Sequence, residues 1–212
     1  MSPTTVLDVN TPDGLGRLHV DAPAEPRGVL LLGGGHSGQI DTVDLLALAG
    51  ELPGHGWAVV RQELPWRVGG RKVGPRPPAS DPAWLVGVET VRAMWPGLPL
   101  VTGGRSAGAR IACRTWDADL AGLVALSFPL HPPGRPAPSR VAELQPVGVP
   151  VLLVSGARDP FGSPAELRDA SALGQAGERQ VVEVAGATHS FPERTAPAVV
   201  AAVVAWLGRL PV

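Results

Sequence analysis

Unbroken apolar runs alternate with amphipathic stretches along most of this chain. Gly28 to Leu32, Trp57 to Arg61, Pro99 to Gly103, Gly122 to Phe128, Val149 to Ser155 and Gln180 to Val184 read as strands. Runs such as Gly28-Val29-Leu30-Leu31-Leu32 lack polar alternation, as expected of strands covered on both faces of a parallel sheet. Helices are predicted between them. One runs from about Thr42 to Leu52, capped by Asp41 and closed by Gly54 and Gly56. A second follows Asp81-Pro82, an N-cap with proline in the first turn, and reaches about Trp95. Others span Ala107 to Trp116, Ser163-Pro164 to about Leu173, and Ala196 to Leu210. The last sets Val199, Val203, Trp206 and Leu210 on one face.

At the start of the chain, Thr4 to Val9 and Leu15 to Val20 flank the turn Thr11-Pro12-Asp13-Gly14 and read as an antiparallel hairpin at a sheet edge. Glu63 to Ser80 and Pro129 to Pro138 are rich in turn residues and read as long loops. Strands alternating with helices give an α/β class: a three-layer sandwich with a mostly parallel sheet, in one domain over residues 1–212.

In such a sheet, ligands bind beyond the carboxyl ends of the strands. Four loops following predicted strands carry reactive groups: Gly33 to Gly38, Ser106, Asp159 and His189. Ser106 lies in Gly104-x-Ser106-x-Gly108, between a strand and a helix. A turn that tight strains the serine backbone, and only glycine two places before and after lets strand and helix pass so closely. With 27 glycines in 212 residues the motif alone is weak, and its context has to carry the argument. A serine hydroxyl needs a neighbouring base; an imidazole serves near neutral pH, and a carboxylate fixes its tautomer. Ser106, Asp159 and His189 follow in the chain order of α/β-hydrolases. Glu166 and Asp169 are weaker choices for the acid, because both fall in a predicted helix.

A tetrahedral intermediate also needs N–H donors for its oxyanion. Ala107, at a helix start, supplies one. The Gly33–Gly38 loop supplies the other, at His36 or Gly35. The same loop fails as a phosphate loop because no Lys-Ser/Thr follows. It spells G-x-G-x-x-G with Gly33, Gly35 and Gly38, but no acidic residue closes the next predicted strand, which argues against dinucleotide binding. His36 either gates the substrate or only exposes its backbone. Arg105 either pairs with a nearby acid or faces the substrate. Arg67, Arg71, Lys72 and Arg76 either bind an acidic substrate or hold their own loop's carbonyls.

Composition narrows this picture. Apolar residues make up 44% and charged residues 17%, which is globular and not disordered. A formal net charge of −1 gives no pull toward nucleic acid or anionic lipid. The single Cys113 excludes an internal disulfide and fits a reducing cytoplasm; packing against the sheet is its expected role. No signal peptide, membrane span, metal-ligand spacing or cofactor motif is expected, and the partner expected is a small acyl substrate.

Over nearly its full length the chain resembles an α/β-hydrolase. More narrowly it resembles the small, lidless KANL3/Tex30-like branch related to dienelactone hydrolases. The matching stretches are Gly33–Gly38, Glu63 to Arg67 with Gly70-Arg71-Lys72 and Pro75 to Pro78, Ala83-Trp84, Gly103–Gly108, Gly156–Pro160 and Thr188-His189-Ser190. The proline–arginine loop is what narrows the match. Relatives carry His-Gly in the oxyanion loop, where this chain reads Gly34-Gly35-His36. The resemblance implies a serine esterase with minimal or no lid, the cap insert being Pro129 to Gln145. It leaves open a non-catalytic interaction module and a small serine peptidase, whose substrate carboxylate the Arg67–Arg76 cluster would bind.

Overall fold

The computed structural model describes residues 3–132, 139–172 and 177–210. The strands are β1 (Thr5–Thr11), β2 (Gly14–Asp21), β3 (Gly28–Gly33), β4 (Trp57–Glu63), β5 (Leu100–Arg105), β6 (Gly122–Leu126), β7 (Val151–Gly156) and β8 (Arg179–Val184). They form one sheet in the order β1-β2-β4-β3-β5-β6-β7-β8. β2 is antiparallel to both β1 and β4, and the pairs from β4 through β8 are parallel. The expected hairpin therefore lies at one edge, where β1 alternates between exposed and half-buried positions.

The helices are α1 (Val43–Glu51), α2 (Pro65–Val68), α3 (Asp81–Met94), α4 (Ala107–Arg114), α5 (Val141–Leu144), α6 (Pro164–Ala172) and α7 (Ala196–Leu207). The strand pleat sends successive side chains to opposite faces. Val29, Leu31, Leu123, Ala125, Val151 and Leu153 pack with α3, α4 and α6 in one core. Their neighbours Leu30, Leu32, Val124, Leu126, Leu152 and Val154 pack with α1 and α7 in a second. Apolar residues are needed on both faces, which is why these strands read as unbroken runs. The result is three layers. Val199, Val203, Trp206 and Leu210 are all buried, as their spacing predicts.

Several local expectations need correction. The N-cap of α1 is Thr42 and not Asp41, and a 3-10 turn over Leu52–His55 continues it. Ser80 is the N-cap of α3; Asp81 lies inside the helix, and its carboxylate reaches Arg114 at 2.6 Å. The Glu63–Ser80 loop contains α2, which begins at a proline as helices often do. β4 runs on to Glu63, so an acid does close that strand; its carboxylate lies 3.4 Å from His19 Nε2. Residues 133–138 of the proline-rich loop and cap insert, and the predicted end of α6 at Leu173, lie outside the described residues.

Candidate active site

β5 ends at Arg105 and α4 begins at Ala107, leaving a single residue, Ser106, to reverse the chain. Its φ of 53° and ψ of −106° are strained for a residue with a Cβ. The turn is possible because three glycines meet. A Cβ on Gly104 would come within 2.5 Å of the Gly33 carbonyl oxygen, and one on Gly108 would strike the same carbonyl. The Ser106 N–H donates to Leu126 O at 2.9 Å, which fixes the turn to the next strand.

Asp159 follows β7, in a turn where its N–H donates to Gly156 O at 3.1 Å. Its carboxylate is fully buried and accepts the Phe161 N–H at 2.9 Å. His189 follows β8. A Cβ on Gly156 would collide with the Ala187–Thr188 backbone, so the acid strand and the histidine loop touch. His189 Nδ1 lies 2.9 Å from one Asp159 oxygen and 3.1 Å from the other. His189 Nε2 lies 2.9 Å from Ser106 Oγ. Phe161 covers the imidazole, with ring centroids 4.1 Å apart and planes tilted by 32°. Nothing in the sequence marked Phe161; its closeness to His189 comes only from the pairing of the loops after β7 and β8.

The Gly33–Gly38 loop also reaches Ser106. A Cβ on Gly35 would lie 3.8 Å from the Ser106 Cβ. The Gly35 and His36 carbonyls accept the Gly38 and Gly74 N–H groups at 2.9 and 3.4 Å. Ala107 sits in the first turn of α4, where helix N–H groups have no intrahelical acceptor. Among the described residues no protein acceptor meets the Ala107, Gly35 or His36 N–H. Trp66, from α2, fills the space that Cβ atoms on Gly38 and Gly74 would occupy, joining the glycine loop to the proline–arginine loop.

A cavity of about 520 Å³ opens beside Ala107, Gly35 and His36. Of the basic residues singled out in the proline–arginine loop, Arg76 lines it; Arg67 and Arg71 do not. Arg67 borders a separate hollow with His19 and Glu63, and Arg71 another that shares Trp66 as a wall. Arg110, Arg114 and Arg140 line the cavity instead. Their positions, on successive turns of α4 and just before α5, gave no signal in the sequence.

Arg105 turns away from this cavity. Its guanidinium makes a 3.3 Å ion pair with the buried Asp44 of α1 and donates to His189 O at 3.1 Å and Ser190 Oγ at 2.9 Å. Of its two open roles, the structure shows pairing with an acid. Cys113 lies on the buried face of α4, and burial pushes its thiol up to about 12, so it stays protonated at neutral pH. Glu166, the alternative acid, lies in α6 facing Ser163 and His131, and Asp169 is exposed. Among the described residues, no group of three or more His, Cys, Asp or Glu side chains is gathered as metal ligands would be. Nor is any helix long and apolar enough to cross a membrane.

A family model described as an alpha/beta hydrolase domain matches residues 26–201. Solved structures share the fold. A serine hydrolase without a lid from Xanthomonas campestris is 22% identical, covers 100% of this chain and 97% of its own, and superposes with a TM-score of 0.76. A serine hydrolase homologue from Coxiella burnetii is 19% identical over 95% of this chain and 98% of its own, with a TM-score of 0.77. A dienelactone hydrolase from Anabaena variabilis is 18% identical over 98% and 97%, with a TM-score of 0.79. No curated protein matches the sequence.

Proposed function

The chain belongs to the alpha/beta hydrolase domain family, and from that premise we propose that it is a serine hydrolase cleaving ester, thioester or related acyl bonds. The observation that carries this reading is the unbroken relay from Ser106 Oγ to His189 Nε2, and from His189 Nδ1 to the buried Asp159, every step between 2.9 and 3.1 Å. Within the family, the proline–arginine loop supports the KANL3/Tex30-like branch.

In the proposed mechanism His189 Nε2 takes the Ser106 proton as Oγ attacks the acyl carbon. Asp159 keeps the Nδ1–H tautomer and stabilises the imidazolium. The Ala107 N–H and a loop N–H at Gly35 or His36 hold the developing oxyanion. His189 then returns the proton to the leaving group as its bond to the acyl carbon breaks. Water, deprotonated by His189, attacks the acyl carbon of the Ser106 ester, and the acid is released as the bond to Oγ breaks and His189 returns the proton to Oγ. Arg105 acts at one remove, by holding the His189 carbonyl and Ser190 Oγ to the chain beside the nucleophile.

The test is covalent labelling with a fluorophosphonate, followed by a panel of short-chain esters. Labelling at Ser106 that disappears in Ser106→Ala and in His189→Ala is the expected result. Ester turnover that persists in a folded Ser106→Ala variant would overturn the mechanism.

A further inference from the structure

The cavity lined by Gly35, His36 and Ala107, the residue after Ser106, carries more positive charge than the neighbouring carboxylates balance. Arg110 is held by Glu143 through two bonds, at 2.7 and 2.6 Å. Arg114 is held by Asp81 in the same two-pronged way, at 2.9 and 2.6 Å, with a further 3.3 Å contact to Glu143. Two arginines and two carboxylates thus neutralise one another. Arg140 has no such partner. One of its nitrogens donates to the Pro129 carbonyl at 2.9 Å, and among the described residues no carboxylate makes an ion pair with it. Arg76, exposed on the proline–arginine loop, adds a second cation on the cavity wall. The rest of the lining includes Leu64, Val73 and Ile111.

A guanidinium that is half-buried against a carbonyl has lost part of its hydration, and the carboxylate nearest in charge, Glu143, is already engaged by Arg110 and Arg114. Burial and then the neighbouring Arg110 pull the Arg140 pKa down, and Glu143 offsets them only in part, so an anion placed there would relieve the remainder. Guanidinium groups match the planar, two-oxygen face of an oxyacid better than any neutral group. The cavity is large enough for a small acyl substrate and opens at the two oxyanion-donor loops.

We propose that the substrate of this site carries a compact oxyanion, a carboxylate or a phosphate, which Arg140 and Arg76 hold in the cavity while the acyl carbon lies at Ser106. The proposal rests on the hydrolase reading above and adds the substrate's charge to it.

The experiment compares the 4-nitrophenyl monoester of glutaric acid, the same ester with its free carboxylate methylated, and a 4-nitrophenyl ester ending in a phosphate. The expected result is a kcat/KM at least about tenfold higher for one of the anionic esters than for the methylated one. That advantage should shrink as salt is raised. Which anionic ester wins separates a carboxylate site from a phosphate site. Arg140→Gln should collapse the ratio, and Arg140→Lys should restore part of it. Arg17→Gln, at the far sheet edge against Asp8, should leave the ratio unchanged.

In parallel, glutarate and inorganic phosphate are titrated into Ser106→Ala by calorimetry, with and without Arg140→Gln. Anion binding that needs Arg140 supports the site even if no ester is turned over, in which case only the hydrolase reading falls. Ser106-dependent hydrolysis with equal kcat/KM for charged and neutral esters, and no anion binding, overturns the anionic substrate and leaves the hydrolase standing. Absence of both turnover and binding overturns both.

Discussion

Two serine–carboxylate–histidine clusters lie close together in this protein, and they are wired in opposite senses. In the first, the imidazole of His189 stands between Ser106 Oγ and the Asp159 carboxylate. In the second, the carboxylate of Glu166 stands in the middle. It accepts the Ser163 N–H at 2.8 Å and the Ser163 hydroxyl at 2.7 Å on one oxygen, and faces His131 Nε2 at 3.1 Å on the other. The Glu166 N–H bonds back to Ser163 Oγ at 3.3 Å, which makes the second cluster a reciprocal cap for α6. Burial differs as sharply: the Asp159 side chain is 0% exposed, that of Glu166 51%. The hydrogen bonds from Ser163 and then from His131 hold the Glu166 carboxyl down at about 2. A carboxylate that weakly basic cannot draw a proton from a serine at neutral pH. The same three chemical groups therefore make a helix cap in one place and a hydrogen-bonded chain from serine to acid in the other; what differs is which group sits in the middle and whether the acid is screened by water.

The largest contrast expected is at the serines. Under the proposed mechanism, Ser106→Ala should lower ester turnover by about a thousandfold or more, while Ser163→Ala leaves it within about twofold. Steady-state ester kinetics on both variants checks this, and fluorophosphonate modification of Ser163 would erase the distinction. The acids come next. Asp159→Asn should cost on the order of 10³–10⁴ in kcat, because an amide no longer holds the Nδ1–H tautomer or balances the imidazolium. Glu166→Gln should leave kcat unchanged. Equal losses in the two would mean that the clusters share one role.

A smaller effect is expected from the scaffold of the first cluster. Among the described residues the second has no counterpart to Arg105, whose ion pair with Asp44 and bonds to His189 O and Ser190 Oγ fix the histidine loop. Arg105→Gln should lower kcat by about tenfold with little change in KM, since it shifts the base and not the cavity. A KM increase at constant kcat would instead return Arg105 to the substrate-facing role left open by the sequence. Circular dichroism confirms that the variant is folded.

Much of this contrast can be read before any coordinates. Ser106, Asp159 and His189 each follow a strand, and parallel strands end on one side of a sheet, so their meeting needs only the alternation of apolar runs. The glycines at 104 and 108 are legible for a similar reason: one backbone contact, against Gly33, requires them. Side chains whose neighbours come from other elements are not legible. Phe161 covers His189 because the loops after β7 and β8 are paired. Arg140 reaches the cavity because α5 packs beside α4, where Glu143 bonds Arg110 and Arg114. Asp81 has the residue type of an N-cap, yet Ser80 holds that position and Asp81 turns to Arg114, a partner 33 residues away. The cluster at Glu166 shows the same division. Ser163-Pro164-Ala165-Glu166 spells a capping box in four residues, but the approach of His131 depends on the 129–132 segment, whose His131 N–H donates to Phe161 O at 2.9 Å.

The smallest effect isolates the second cluster through pH. Glu166 titrates near 4.5 when unfolded and at about 2 in the fold. A carboxyl held down by folding adds stability that is complete above pH 4.5 and is lost as pH falls from there toward 2. The group is half-exposed and water screens it, so its share is that of an ordinary cap, about 1 kcal/mol or less. In a protein of this size that corresponds to a Tm difference of at most about 2–4 °C between wild type and Glu166→Gln. The difference should be full at pH 6 to 7 and should close as pH is lowered from 4.5 toward 2, because protonated wild type then resembles the amide. Thermal melts of both proteins across that range check it. A Tm difference that does not change with pH would mean that Glu166 acts through packing, and the contrast between a charged cap and a buried relay would lose its electrostatic half.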